Sequence, residues 1–159
     1  MTIKIGIIGA GKIVRVRHLP EIQMNSHAEV TAICDVVEAR AKELAQEYGS
    51  KAYLDYRQML LDPNIDAVIV AATNTTHAEM TIAALQAGKH VLCEKPMATN
   101  LQDAQNMLDA AKSSGKQLMI GQNQRLEPAH IKAREIIQAG KLGKVLSFTT
   151  IFGHPVCEY

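Results

Sequence analysis

Much of what would send this chain to other classes is missing. It has three cysteines, Cys34, Cys93 and Cys157, and none is spaced C-x-x-C. That argues against a disulfide framework and against a zinc site, and it leaves a reducing cytoplasm as the simplest compartment. No pair of His, Cys or acidic residues has ligand spacing, so no metal is expected. There is no long apolar run. The stretch after Lys4 is broken by Gly6, Gly9 and Gly11, so neither a signal peptide nor a membrane span is expected. Excess charge is also lacking. Lys and Arg total 17 against 16 Asp and Glu, for a net charge of +1, and the basic residues are scattered. Nothing in that balance pulls the chain toward nucleic acid or a membrane surface. Repeats and low-complexity segments are absent.

What remains is an ordinary globular composition, 47% hydrophobic and 21% charged over 159 residues. That length suits one domain with a real core and is short for two. Apolar runs alternate with helix-forming stretches. Ile3 to Ile8, Glu29 to Cys34, Asp66 to Ala71, His90 to Cys93 and Gln117 to Ile120 read as strands buried on both faces, with a short one at Tyr53 and Leu54. Lys12 to Met24, Glu38 to Tyr48, Tyr56 to Leu61, Thr75 to Ala87, Asn100 to Ser113 and Pro128 to Ala139 read as helices. Gly49, Gly88, Gly115 and Gly140 stand where several of them should stop. Asn100 is a candidate cap, with Asp103 in the first turn. This order predicts an α/β fold, a doubly wound parallel sheet covered by helices. Lys144 to Phe152 alternates instead, as a strand with one exposed face does. Residues 1–121 are therefore expected to form one domain and residues 122–159 to open a second, incomplete one.

Gly9-Ala10-Gly11-Lys12-Ile13-Val14 joins the first strand to the first helix. A diphosphate needs a sharp turn, which Gly9 permits, and close backbone approach, which Gly11 permits. The amides at the start of the helix, Lys12 and Ile13, then face the anion. The plain alternative is a tight structural turn without ligand. Val14 stands where the usual fingerprint has its third glycine. Asp35 ends the second strand roughly 20 residues on, where a carboxylate accepts from the adenosine ribose. It would repel a 2′-phosphate, so NAD is expected ahead of NADP, with Arg40 one turn further as a candidate cation for that phosphate. The alternative for Asp35 is a helix start.

Three more stretches come directly after predicted strands: Ala72-Thr73-Asn74-Thr75-Thr76-His77, Glu94-Lys95-Pro96 and Gln122-Asn123-Gln124-Arg125. With the glycine loop and Arg17-His18-Leu19-Pro20, and with Pro128 and Gly140-Lys141-Leu142-Gly143-Lys144-Val145, this set resembles the Gfo/Idh/MocA family over about residues 3 to 150. The resemblance implies a Rossmann-type nucleotide domain followed by a second α/β domain with a large open sheet for substrate and subunit contacts. It implies reversible hydride transfer between a nicotinamide and a carbinol carbon, most often of a sugar or polyol, in a homo-oligomer. By match, Ala72, Thr73, Asn74, His77 and Asn123 fall near the cofactor, Glu94 near the nicotinamide ribose and Lys95 near the reacting carbon. Lys95-Pro96 is commonly a cis peptide in this family. Thr73 departs from the proline that many members carry. The family's Asp and His catalytic partners belong to the second domain, and His154 does not match that motif.

An ammonium beside a hydroxyl stabilises developing alkoxide, so Lys95 is the catalytic candidate. Its plain reading is a solvated lysine paired with Glu94. His77 has two readings, cofactor-side or solvent-facing in a first helical turn. His18 either meets cofactor or fixes the turn before Pro20. His27, His90 and His130 are assigned to structure or surface, Cys93 to a buried strand, and Met107 and Met119 to the core.

Overall fold

The computed structural model describes residues 2–151. They divide between Gly121 and Gln122 into two compact units. The first carries six parallel strands: β1 (Ile3–Ile8), β2 (Ala28–Cys34), β3 (Lys51–Tyr53), β4 (Ala67–Val70), β5 (His90–Cys93) and β6 (Leu118–Ile120), in the order β3-β2-β1-β4-β5-β6. The chain builds outward from β1 to β3 and then crosses back to β4. That reversal leaves a crevice at the carboxyl ends of β1 and β4.

The near-continuous apolar strands are explained by helices on both faces. Alternate side chains go to opposite sides. Ile8, Val68, Val70, Val91 and Cys93 join the core with α3 (Tyr56–Leu60), α4 (His77–Gln86) and α5 (Leu101–Ser114), through Met59, Leu85 and the fully buried Met107. Ile7, Ile33 and Ile69 join the other core with α1 (Leu19–Gln23) and α2 (Glu38–Glu47), through Leu19, Ile22 and Leu44. Each such fully buried side chain contributes about 1.5–3 kcal/mol of burial free energy. Helix ends obey the sequence signals. Asn100 accepts from the Asp103 amide at 2.8 Å and starts α5, and Gly115 stops it at φ +66°.

Three expectations need correction. The helix expected over Lys12–Met24 contains a π-helical turn at Val14–His18 before α1. It opens at Val14, the residue in place of the third glycine, whose side chain is fully buried with Ile7 and Leu19. Met119, expected in the core, is 58% exposed. It sits on β6, an edge strand, on the face opposite Leu118 and Ile120, both of which pack into the core. The strand expected from Lys144 does not form over residues 144–151, which are irregular and exposed. A strand holds its shape only against a ladder partner. Phe152, His154 and Cys157 lie outside the described residues.

The second unit, taken by itself, has a 3-10 turn at Asn123–Leu126 and helix α6 (Pro128–Gln138). The Gln124 carbonyl accepts from the His130 ring at 2.6 Å, and Gly140 comes after α6 at φ +68°. No helix among the described residues is long and apolar enough to cross a membrane.

Candidate functional site

The loops singled out by sequence lie at the carboxyl ends of β1, β2, β4 and β5. Gly9 has φ +102°, and a Cβ on it would stand 2.4 Å from the Ala71 carbonyl oxygen. Only glycine fits a turn that passes so close to the end of β4. The Gly9 amide donates to the Cys34 carbonyl at 2.8 Å, tying the turn to β2 as well. Gly11 differs: a Cβ there would meet nothing within 4 Å. Its missing side chain leaves open space over the main chain, a cradle that fits a diphosphate. Helical backbone begins at Lys12, and the Arg15 amide makes the first helical bond, to Gly11, at 3.2 Å. The first-turn amides therefore have no intrahelical acceptor. Lys12 and Ile13 are exposed at this end.

Asp35 braces the loop. One carboxylate oxygen accepts from the Ala10 amide at 2.8 Å, and the other accepts from the Val37 amide at 2.8 Å. Val37, not Asp35, is the N-cap of α2, so the helix-start reading holds only as a turn leading into it. Each oxygen keeps a second lone pair for a hydroxyl donor. Arg40 is exposed in the first turn of α2. Arg15, by contrast, is held by Glu43 through two bonds of 3.0 and 2.8 Å, which push its guanidinium pKa up and hold the Glu43 carboxyl below its usual range.

Across the crevice stand the loops after β4 and β5. Ala72 leads into Thr73, whose carbonyl accepts from the Thr76 hydroxyl at 2.9 Å, closing the 3-10 turn Asn74–Thr76. Thr73 and Asn74 are exposed. Glu94-Lys95-Pro96 comes after β5, and the Lys95-Pro96 peptide is cis, as the resemblance implied. Lys95 is exposed. Its side chain does not take the Glu94 carboxylate; the ring of His18 does, with Nε2 to Oε1 at 2.9 Å. A carboxylate only accepts, so Nε2 carries the proton. The other Glu94 oxygen accepts from the Lys95 amide at 3.1 Å. His18 thus reaches a loop on the far side of the crevice, a contact that neither sequence reading included.

His77 is corrected too. It is 1% exposed, so the ring neither faces solvent nor presents a surface to a ligand. Nδ1 donates to the Pro96 carbonyl at 2.7 Å, and Nε2 lies 3.3 Å from the Ala72 carbonyl. Its part is to hold two ligand-side loops together. Cys93 is wholly buried as expected, its thiol pushed up by burial. Asn123, in the second unit, is exposed at the start of its 3-10 turn. Among the described residues no three His, Cys, Asp or Glu side chains are grouped to hold a metal.

Comparison with known proteins agrees with this geometry. The oxidoreductase family with an NAD-binding Rossmann fold, Gfo/Idh/MocA, matches residues 3–122. Over 142 residues the chain is 39% identical to myo-inositol 2-dehydrogenase of Thermotoga maritima, covering 89% of this chain and 42% of that protein. The fold matches KijD10, a 3-ketoreductase from Actinomadura kijaniata solved with NADP, at TM-score 0.82 and 33% identity, over 91% of this chain and 46% of that one. It matches the WlbA dehydrogenase from Bordetella pertussis, solved with NADH and UDP-GlcNAcA, at TM-score 0.87 and 28% identity, over 90% and 41%. The chain spans less than half the length of these relatives. With a glycine-only turn, an open main-chain cradle and a carboxylate at the end of β2 on one side, and Glu-Lys-cis-Pro on the other, the chain belongs to the Gfo/Idh/MocA oxidoreductase family.

Proposed function

We propose that this chain is the cofactor-holding portion of an NAD(P)-dependent oxidoreductase that moves a hydride between a nicotinamide and the carbinol carbon of a sugar or polyol. The observation that carries the reading is the exposed Lys95, on a loop anchored by Glu94, facing the same strand ends as the glycine loop. Gly9 and Gly11 bring main chain close to a diphosphate, and the amides of Lys12 and Ile13 meet its charge. Asp35 accepts from the adenosine ribose, which favours NAD over NADP, and Arg40, exposed in the first turn of α2, is the candidate to answer a 2′-phosphate. Ala72, Thr73 and Asn74 line the nicotinamide half, and the resemblance adds Asn123 to the cofactor residues. Glu94 lies by the nicotinamide ribose.

When bound, the nicotinamide supplies or accepts the hydride. Lys95 does the protein's part at the reacting centre: its ammonium stabilises an alkoxide forming on the carbinol oxygen. Two of the relatives, a myo-inositol 2-dehydrogenase and a dehydrogenase solved with UDP-GlcNAcA, support a polyhydroxylated substrate. Residues 122–159 are the opening of a second domain. The resemblance assigns the substrate platform, further catalytic groups and the homo-oligomer contacts to that domain. A reducing cytoplasm fits the unpaired, buried Cys34 and Cys93.

The test has two stages. The chain alone should bind NADH weakly in calorimetry, more tightly than NADPH, and should produce no NADH from a polyol panel. In a full-length version, Lys95→Met should lower kcat by about 10²–10⁴-fold with NADH affinity within about threefold of the parent. Unchanged function after that swap would favour a non-catalytic dinucleotide sensor instead.

A further inference from the structure

Glu94 is the meeting point of three separate stretches of chain. His18 comes from the helical segment that begins at the glycine loop. Lys95 supplies its own amide. Gly121, at the end of β6, supplies an absence: a Cβ there would lie 3.4 Å from the Glu94 carboxyl carbon and from both of its oxygens. The carboxylate therefore lies directly over Gly121, with His18 on one oxygen at 2.9 Å and the Lys95 amide on the other at 3.1 Å. The side chains of the pair are 13% and 16% exposed, so the bond is largely shielded from water. A shielded, charge-assisted bond of this kind is stronger than one at the surface.

The way His18 arrives there is also specific. It is the last residue of the π-helical turn Val14–His18. A π turn amounts to one residue inserted into an α-helix, so it rotates the rest of the helix by roughly 100° about its axis. The turn begins at Val14, which is locked in the core, and ends on a ring that reaches another loop.

We propose that His18 is a positioning residue: through Glu94 it sets the Glu94-Lys95-Pro96 loop and couples it to the helix that opens at the phosphate cradle. The two halves of a bound dinucleotide are thus read by elements that share one hydrogen bond. This rests on the dinucleotide-site reading above. His18 touches neither substrate nor cofactor in this scheme; it acts by holding the carboxylate and, through it, the Lys95 amide. Nothing in the local sequence around either residue requires the bond, because 76 positions separate them.

The test compares two ligands on the 159-residue chain. ADP-ribose probes the adenosine and diphosphate half, and NADH adds the nicotinamide half. In His18→Leu, ADP-ribose affinity should stay within about twofold while NADH affinity falls about tenfold. His18→Gln, whose amide can still donate to Glu94, should recover most of that loss. Glu94→Gln should cost NADH binding less when added to His18→Leu than when added to the parent, because the tie between the two is already gone. Equal losses for both ligands, or no loss for either, would overturn the inference. If the parent chain bound no ADP-ribose, the dinucleotide reading itself would fail and this inference with it. Should His18→Leu not fold, ¹⁵N imidazole spectra of the parent chain decide: an Nε2–H ring whose signal moves in Glu94→Gln supports the tie, and an Nδ1–H ring refutes it.

Discussion

The two sides of the crevice are built by different means. On the β1 and β2 side the work is done by main chain. Gly9 turns against Ala71, Gly11 stays bare, and Asp35 braces the Ala10 amide. On the β5 side the work is done by side chains, and the loop is held from outside by two histidines. His18 takes Glu94 from 76 residues away, and His77 takes the Pro96 carbonyl from 19 residues away. The first side is assembled from three strand ends, but each of its pieces carries its own local mark in the sequence. The second is a shape that exists only once the whole sheet has assembled.

That contrast can be broken deliberately. Gly9→Ala should be the most damaging change. Its Cβ would lie 2.4 Å from the Ala71 oxygen at a φ of +102°, and both faults have to be relieved by moving β4 or the turn. A loss of about 4 kcal/mol in urea unfolding is expected, with no dinucleotide binding left. His77→Leu attacks the other side. It keeps the volume filled but strips the Pro96 carbonyl of its donor, so stability should fall by about 1–3 kcal/mol in the same assay. Binding of NADH should then suffer more than binding of ADP-ribose. Gly11→Ala sharpens the comparison with the smallest effect on the fold. A Cβ there meets nothing within 4 Å, so stability should shift by at most about 0.5–1 kcal/mol, and upward is allowed. The added methyl would nonetheless stand in the cradle, and calorimetry should find weaker binding of NADH and ADP-ribose alike. A Gly11→Ala chain that binds both as before would remove the cradle from the account.

Legibility in the amino acids splits along the same divide. The strands of the parallel sheet, the glycine turn, Asp35 and the Asn100 cap each carry a local mark in the sequence, and each lies at or within a few residues of where that mark placed it. The cis Lys95-Pro96 bond was legible through the resemblance alone. The π turn was not legible, because a helical stretch carries no mark of one extra residue. Nor was the burial of His77. A histidine opening a helix looks solvent-facing until the loop carrying Pro96 is laid over it. Met119 failed for a further reason: alternation marks two faces of a strand but not whether a helix covers each, and on β6 one face stays open. The stretch after Lys144 alternates as a strand should, but a strand needs a ladder, and residues 144–151 have none.

Cys34 and Cys93 close β2 and β5, on opposite flanks of the crevice, and both are free and buried. Burial, then Asp55 and Asp35, pushes the Cys34 thiol up to about 12, and burial raises Cys93 too. Since alkylation needs the thiolate, a reagent such as iodoacetamide should label either residue only while its strand end has come loose. In a Cys157→Ser chain the pair forms a built-in clock with two hands, one per flank. A dinucleotide spanning the gap should slow both hands, whereas ADP-ribose alone should slow chiefly the one at Cys34.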